Sequence, residues 1–180
     1  MDEICKIAKE YNLKIIEDAA QSFGSSVDGK MSCSFGDIGC TSFFPAKPLG
    51  CYGDGGALFT DDKTLAERMR MIRVHGQGTG DIHTILGLNG RFDTIQAAIL
   101  LAKMSVFDDE IALRQKVAGM YRERLENLPG VQMQCVDDLN TSGYAQFTFL
   151  SHERDRLRDE LRREGTVSYT HLTLPTTRCV

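Results

Sequence analysis

The densest set of reactive and conformationally permissive residues runs from Thr41 to Ala57, with Lys47 in its middle. Pro45 and Pro48 flank that lysine, and Gly50, Gly53, Gly55 and Gly56 follow it. A lysine whose ammonium pKa is lowered by its surroundings can form a Schiff base with a carbonyl. Ser42, just upstream, offers a hydroxyl that can bind a phosphate, and the glycines let backbone approach a bound group closely. The pattern is not a Walker loop, which needs Gly-Lys-Ser/Thr opening a helix. Plainer readings stand beside this one. A loop lysine is usually a solvated surface residue, and a glycine-rich turn could equally be a hairpin or a simple phosphate nest.

Asp18 is the second candidate. It follows Leu13-Lys14-Ile15-Ile16, a short apolar run that reads as a strand, so it would stand at a strand's C-terminal end. Open α/β sheets bring ligand-binding residues to that end. A carboxylate there, near such a lysine, is what a pyridoxal phosphate site requires, because it pairs with the protonated pyridine nitrogen and keeps the ring an electron sink. The alternative for Asp18 is a helix cap or turn former.

The elements that must position these residues follow from periodicity. Ile4, Ile7, Ala8 and Tyr11 lie at helical spacing within residues 2–12, with Asp2 placed to cap the start and Asn12 to end it. Residues 22–39 are rich in Gly, Ser and Asp and read as loop, with a turn at Asp28-Gly29. Strands are expected at 40–44 and 57–60, separated by the irregular stretch from Pro45 to Gly56. Helices are expected at 62–73, 93–104 and 108–128, the last ended by Pro129-Gly130 with Ile111, Val117, Ala118, Tyr121, Leu125 and Leu128 as its apolar face. Strands at 131–135 and 144–150 and a charged helix at 152–164, with Leu157 and Leu161 inward, complete the reading. The result is an α/β fold whose sheet is expected to begin upstream of Met1. Residues 166–180 are threonine-rich and aperiodic, and are expected to be a non-native tail.

Composition sets bounds. The chain has 180 residues, 42% hydrophobic and 26% charged, enough for one domain with a sizeable core. A net charge of -4 without a basic cluster gives no electrostatic reason to expect nucleic acid. No apolar run has the length of a membrane span and the N-terminus lacks a signal-peptide pattern, so a cytoplasmic protein without a membrane partner is expected. The six cysteines are scattered with no C-x-x-C pair, so reduced structural thiols are expected and no metal site.

Several separated motifs, in order, resemble one family. Ile16-Glu17-Asp18-Ala19-Ala20-Gln21-Ser22-Phe23-Gly24, Ser42-Phe43-Phe44-Pro45-Ala46-Lys47 and Gly53-Asp54-Gly55-Gly56-Ala57 are followed by His75-Gly76, Gly87-Leu88-Asn89-Gly90-Arg91-Phe92-Asp93 and Gln96-Ala97-Ala98. Tyr121-Arg122-Glu123-Arg124-Leu125 and Tyr144-Ala145-Gln146-Phe147-Thr148 close the series. Together they resemble the sugar aminotransferases of DegT/StrS type, fold type I pyridoxal-phosphate enzymes, over residues 1–165. The resemblance implies that residues 1–105 are part of the cofactor-binding large domain. Residues 106–165 would be a linking long helix and part of the smaller C-terminal α+β domain.

The same resemblance implies roles by position. Lys47 would be covalently joined to pyridoxal 5'-phosphate and shuttle a proton, Asp18 would hold the pyridine nitrogen, and Gln21 would lie against the ring's 3-hydroxyl side. Ser42 would bind the phosphate, and Asn89 would reach the phosphate in a neighbouring subunit, making the unit a homodimer with shared active sites. His75 and Arg91 lie in matched motifs without an assigned role. Lysine at position 47 implies transamination, since members that remove a sugar hydroxyl carry histidine there. The substrate implied is a nucleotide-linked keto sugar, nearest a UDP-linked 3-keto N-acetylhexosaminuronate used for surface polysaccharides, with an amino-acid donor, glutamate. Two alternatives stay open: a phosphate- or nucleotide-binding α/β module without covalent chemistry, and an inactive piece of the aminotransferase. Family members are longer than this chain, so Met1 is expected to be an internal or truncated start, with a phosphate loop and a ring-stacking residue lying upstream.

Overall fold

The computed structural model describes residues 1–169. It forms two compact units. The first comprises Met1–Ala118 with Val136–Gln146, and the second comprises Gly119–Cys135 with the described residues from Phe147 onward. Residues 170–180, most of the expected non-native tail, lie outside the described residues.

Helix α1 (Asp2–Glu10) carries the expected stripe, but Ile4, Ile7 and Tyr11 are all more than half exposed and only Ala8 is buried. Asp2 does not cap it: Met1 holds the cap position, and Asp2 lies in the first turn. Asn12 ends it as expected. Its φ of 51° is left-handed, its N–H donates to Lys9 O at 3.4 Å, and Leu13 N–H donates to Ala8 O at 2.7 Å. That is a Schellman stop with asparagine in the position glycine usually takes.

The stop consumes residues 11–13, and the strand expected at 13–16 starts later for that reason. Asp37 then takes the next two residues: its carboxylate accepts Ile15 N–H at 2.9 Å and the Lys14 ammonium at 2.8 Å. Strand β1 is therefore Ile16–Asp18. The turn at Asp28-Gly29, with φ of 48° and 76°, joins β2 (Ser26–Val27) to β3 (Lys30–Met31) as a two-residue hairpin. Strands β4 (Ile38–Ser42) and β5 (Gly56–Phe59) each begin slightly earlier than expected.

Helix α2 (Lys63–Arg73) starts at Asp62, whose carboxylate accepts Thr64 N–H at 2.7 Å and Leu65 N–H at 3.1 Å. Helices α3 (Thr94–Met104) and α4 (Phe107–Leu125) follow. Along α4 only Ala118 is buried, and Val117 and Tyr121 stay about half exposed. Beyond it come β6 (Val131–Met133), β7 (Asn140–Thr141), β8 (Phe149–Ser151) and α5 (Arg154–Arg163).

The main sheet has the order β1-β4-β5, with β1 parallel and β5 antiparallel to the central strand. A second sheet, β3-β2-β7, draws residues 140–141 back onto the hairpin, reinforced by Gly143 N–H donating to Ser25 Oγ at 2.8 Å. The first unit's core is Phe43, Leu49, Cys51 and Leu100, with Phe23, Ala57, Phe92 and Phe107 packed around it. Phe23 meets Phe43 edge-on at 5.9 Å between centroids.

In the second unit, β6 pairs antiparallel with β8, Arg122 Nη2 donates to Gln134 O at 2.9 Å, and Tyr121 stacks on Phe147. Among the described residues no helix is long and apolar enough to cross a membrane, and no group of three His, Cys, Asp or Glu could hold a metal ion.

Candidate active site

Strand register fixes the first two candidates. Asp18 is paired with Cys40 across β1 and β4, so their side chains leave the same face of the sheet. Ser42 lies two residues farther along β4 and therefore shares that face. With about 3.3 Å per residue and about 4.8 Å between strands, the Asp18 and Ser42 Cα atoms are about 8 Å apart. The neighbourhood is electrostatically coupled: burial pushes the Cys40 thiol pKa up, and the Asp18 carboxylate adds to the effect.

Asp18 is exposed, and its Oδ1 accepts Ala20 N–H at 3.0 Å in an Asx turn. Its Oδ2 has no partner among the described residues, so one oxygen is available to an incoming N–H. Gln21 lies past the strand end in the turn closed by Ser22 N–H to Ala19 O at 3.1 Å, with its side chain exposed. The Ser42 Oγ accepts Phe44 N–H at 3.2 Å, which leaves its own hydrogen free to donate.

Lys47 sits in the loop between β4 and β5. The loop begins with a turn in which Lys47 N–H donates to Phe44 O at 2.9 Å, with Pro45 at the position where its fixed φ favours turning. The chain then folds back on itself. Cys51 N–H donates to Phe43 O at 2.9 Å, and the fully buried Cys51 Sγ lies 3.0 Å from Phe43 O and 3.1 Å from Gly53 O. At Gly50 any Cβ would stand 2.7 Å from the carbonyl oxygens of Phe44 and Pro45, so only glycine permits the closure. Lys47 is half-buried, and its ammonium has no hydrogen-bond partner among the described residues. A free amine source, an open carboxylate oxygen and a free hydroxyl donor fit the aldehyde, pyridine nitrogen and phosphate of pyridoxal 5'-phosphate.

Asn89 stands apart on the segment between α2 and α3. It bridges Val74, and its Oδ1 accepts Arg91 N–H at 3.4 Å. The same segment holds His75 at a left-handed φ of 62°, with its N–H donating to Leu88 O at 3.0 Å. Arg91 Nη1 lies 3.1 Å from His75 Nε2, and because a guanidinium only donates, that nitrogen accepts and the proton belongs on Nδ1. Asn89, His75 and Arg91 are thus tied to one another, and no hydrogen bond joins them to Asp18, Ser42 or Lys47 among the described residues.

Three positions make contacts that the reading of the sequence did not assign to them. Glu17, on the opposite face from Asp18, accepts Cys33 N–H at 2.8 Å and Phe35 N–H at 3.0 Å. Gln96 Oε1 accepts Tyr52 N–H at 2.8 Å, and Lys103 Nζ donates to Gly50 O at 2.6 Å. Gln96 stands in the matched motif Gln96-Ala97-Ala98 without an assigned role, and Lys103 shares its i, i+7 stripe around the buried Leu100. A groove of about 1010 Å³, lined by Cys33, Thr41, Phe59, Met69 and Phe92 among others, contains none of the candidate residues. It opens on the sheet face away from Asp18 and Ser42, because Thr41 and Phe59 point opposite to them.

The model of the DegT/DnrJ/EryC1/StrS aminotransferase family matches residues 1–178. The chain is 48% identical over 174 residues to a UDP-2-acetamido-2-deoxy-3-oxo-D-glucuronate aminotransferase of Pseudomonas aeruginosa, covering 97% of this chain and 48% of that one. It is 35% identical over 175 residues to a dTDP-3-amino-3,4,6-trideoxy-alpha-D-glucose transaminase of Streptomyces venezuelae, covering 97% and 46%. A crystal structure of a DegT/DnrJ/EryC1/StrS aminotransferase from Brucella abortus superposes with a TM-score of 0.92 at 44% identity, covering 97% and 46%. The chain spans about half the length of the relatives it matches.

Proposed function

This chain belongs to the DegT/DnrJ/EryC1/StrS aminotransferase family, and from that premise we propose that it carries the lysine-bearing part of a transaminase acting on a nucleotide-linked keto sugar. The family's cofactor is pyridoxal 5'-phosphate. When bound, it supplies an electron sink for the carbon that gains or loses the amino group. The observation that carries the reading is the common sheet face of Asp18 and Ser42, with Lys47 in the loop that leaves β4.

Each residue then has a defined task. The Asp18 carboxylate, through its open Oδ2, would hold a proton on the pyridine nitrogen. The Ser42 hydroxyl would donate to a phosphate oxygen. Gln21, exposed in the turn that follows β1, would lie against the ring's hydroxyl side. Lys47 would hold the cofactor through its amine, and that nitrogen would move a proton to or from the substrate carbon. Lysine at this position supports amino transfer over removal of a sugar hydroxyl.

The substrate is a UDP-linked 3-keto N-acetylhexosaminuronate, glutamate is the donor, and the product serves surface polysaccharide synthesis in the cytoplasm. Higher identity to the UDP-sugar relative than to the dTDP-sugar relative supports the nucleotide. The active unit is a homodimer in which Asn89 of one protomer reaches the phosphate site of the other. In support, Asn89 is exposed, and its loop also exposes Leu86 and Leu88.

The test is isotope transfer. The chain, the cofactor, the UDP-keto sugar and glutamate with a heavy amino nitrogen are incubated, and the sugar nucleotide is weighed by mass spectrometry. Heavy nitrogen on the sugar, absent with Lys47→Ala, is the expected result. Transfer that survives Lys47→Ala would contradict the assignment of that residue.

A further inference from the structure

One face of α3 meets the loop that carries Lys47. Gln96, Leu100 and Lys103 follow the i, i+4, i+7 spacing that puts three side chains on a single helical stripe. Leu100, in the middle, is buried against Phe43, Leu49 and Cys51, so it anchors the helix to the loop's own core residues. At one end Gln96 Oε1 accepts Tyr52 N–H at 2.8 Å, and its Nε2 lies 3.1 Å from where a Cβ on Gly53 would stand. At the other end the Lys103 ammonium donates to Gly50 O at 2.6 Å and sits 5.0 Å from the centre of the Tyr52 ring.

Gly50 is the pivot of the fold-back, since Phe44 O and Pro45 O close directly over it. The lysine side chain therefore holds the single residue on which the turn before Lys47 and the return after it both depend. Its partly buried stem and its charge-assisted bond distinguish it from a solvated surface lysine. Loops that carry reacting side chains need this kind of external support, because a reacting group displaced by about 1 Å loses about a hundredfold in rate.

We infer that Gln96 and Lys103 are positioning residues for Lys47: two polar struts, on either side of the Leu100 anchor, that hold the Gly50–Gly53 return in place. The catalytic meaning of the brace rests on the reading of Lys47 given above, but the brace itself does not.

The test uses the full chain without cofactor for one arm and with it for the other. Amide hydrogen exchange is followed at Lys47, Cys51 and Tyr52 in the wild type, Lys103→Met and Lys103→Arg. Lys47 modification by pyridoxal phosphate and borohydride is then timed by peptide mapping. Lys103→Met is expected to speed exchange of the three amides by roughly ten- to hundredfold while α5 amides keep their rates. It is also expected to slow Lys47 labelling by roughly tenfold. Arginine can donate to the same carbonyl and lie against Tyr52, so Lys103→Arg restores both readouts.

Unchanged exchange in Lys103→Met, or Lys103→Arg no better than Lys103→Met, would overturn the inference. If Lys103→Met unfolds, Gln96→Met tests the other strut, and exchange at Tyr52 equal to wild type would overturn it there. Absence of any Lys47 label in the wild type, with the exchange result as expected, would sink the cofactor reading and leave the brace standing.

Discussion

Asp18 ends β1 directly beside Cys40, and Ser42 ends β4 on the same sheet face two residues farther along. On the proposed reading, that shared face would offer a carboxylate to a ring nitrogen and a hydroxyl to a phosphate. The distance between them is fixed by backbone pairing and not by side-chain reach.

Asp18→Asn separates the cofactor role from the structural one. Asparagine keeps an oxygen for the Ala20 N–H, so the Asx turn and the strand end persist. It cannot balance a positive ring nitrogen, and a hydrogen bond to a charged group is worth about 1.5–3 kcal/mol. Cofactor affinity, measured by absorbance titration, is expected to fall by roughly ten- to hundredfold with an unchanged melting curve. Equal affinity would remove Asp18 from the site.

On the reverse face, Glu17 is a structural brace. Both of its oxygens accept backbone N–H groups, from Cys33 and Phe35, and Cys33 is held at a left-handed φ of 71°. Glu17→Gln turns one acceptor into a donor facing a donor, which is expected to cost about 1–3 kcal/mol. Urea unfolding measures it, and a loss below experimental error would show the loop to be held by other contacts.

Much of this arrangement was legible in the sequence, for definite reasons. Helices announced themselves by period, as at 62–73 with Leu65, Met69 and Ile72 on one side, whereas the expected cap Asp2 gave way to Met1. Lys47, Asp18 and Ser42 stood out because a lysine among prolines and glycines and a carboxylate after an apolar run are chemically conspicuous. Strand limits were less legible. β1 starts late because Asn12, Leu13 and Asp37 occupy the preceding residues with a helix stop and a side-chain staple, and Asp37 is far away in sequence. β7 left no signal, because Asn140 and Thr141 pair with β2 through backbone alone. Gln96 and Lys103 were invisible as functional residues, since their partners are a backbone N–H and a backbone carbonyl.

The Asp37 staple predicts a pH dependence. Hydrogen bonding from Lys14, then from Ile15 N–H, holds the Asp37 carboxyl below its ordinary value of 3.8. A depressed folded-state pKa means its stabilisation is present above about 3.8 and is lost as pH falls through the lower folded value. The Lys14 ammonium is correspondingly raised above 10.5, chiefly by the hydrogen bond to Asp37, so its share is present below 10.5 and is lost as pH rises through the higher value. Asp37→Asn is expected to flatten the acid limb of stability against pH. An acid limb identical to wild type would assign that loss to other carboxylates.

Thiol reactivity should sort by burial. Cys33 is buried with its thiol pushed up to about 11, first by burial and then by Glu17 and Cys40. Cys51 is fully buried, whereas Cys135 is exposed. At pH near 8 an aromatic disulfide reagent should modify Cys135 quickly, with Cys33 and Cys51 reacting only on unfolding. Fast native-state labelling of Cys51 would mean that the Lys47 loop opens freely.

The most direct test of the central claim is to incubate the chain with pyridoxal 5'-phosphate, reduce with borohydride, and map the modified peptides against a Lys47→Ala control. The account predicts one dominant pyridoxyl group on the peptide containing Lys47, lost in the control while the fold persists. A folded chain labelled at no lysine in particular, or labelled equally after Lys47→Ala, would contradict it.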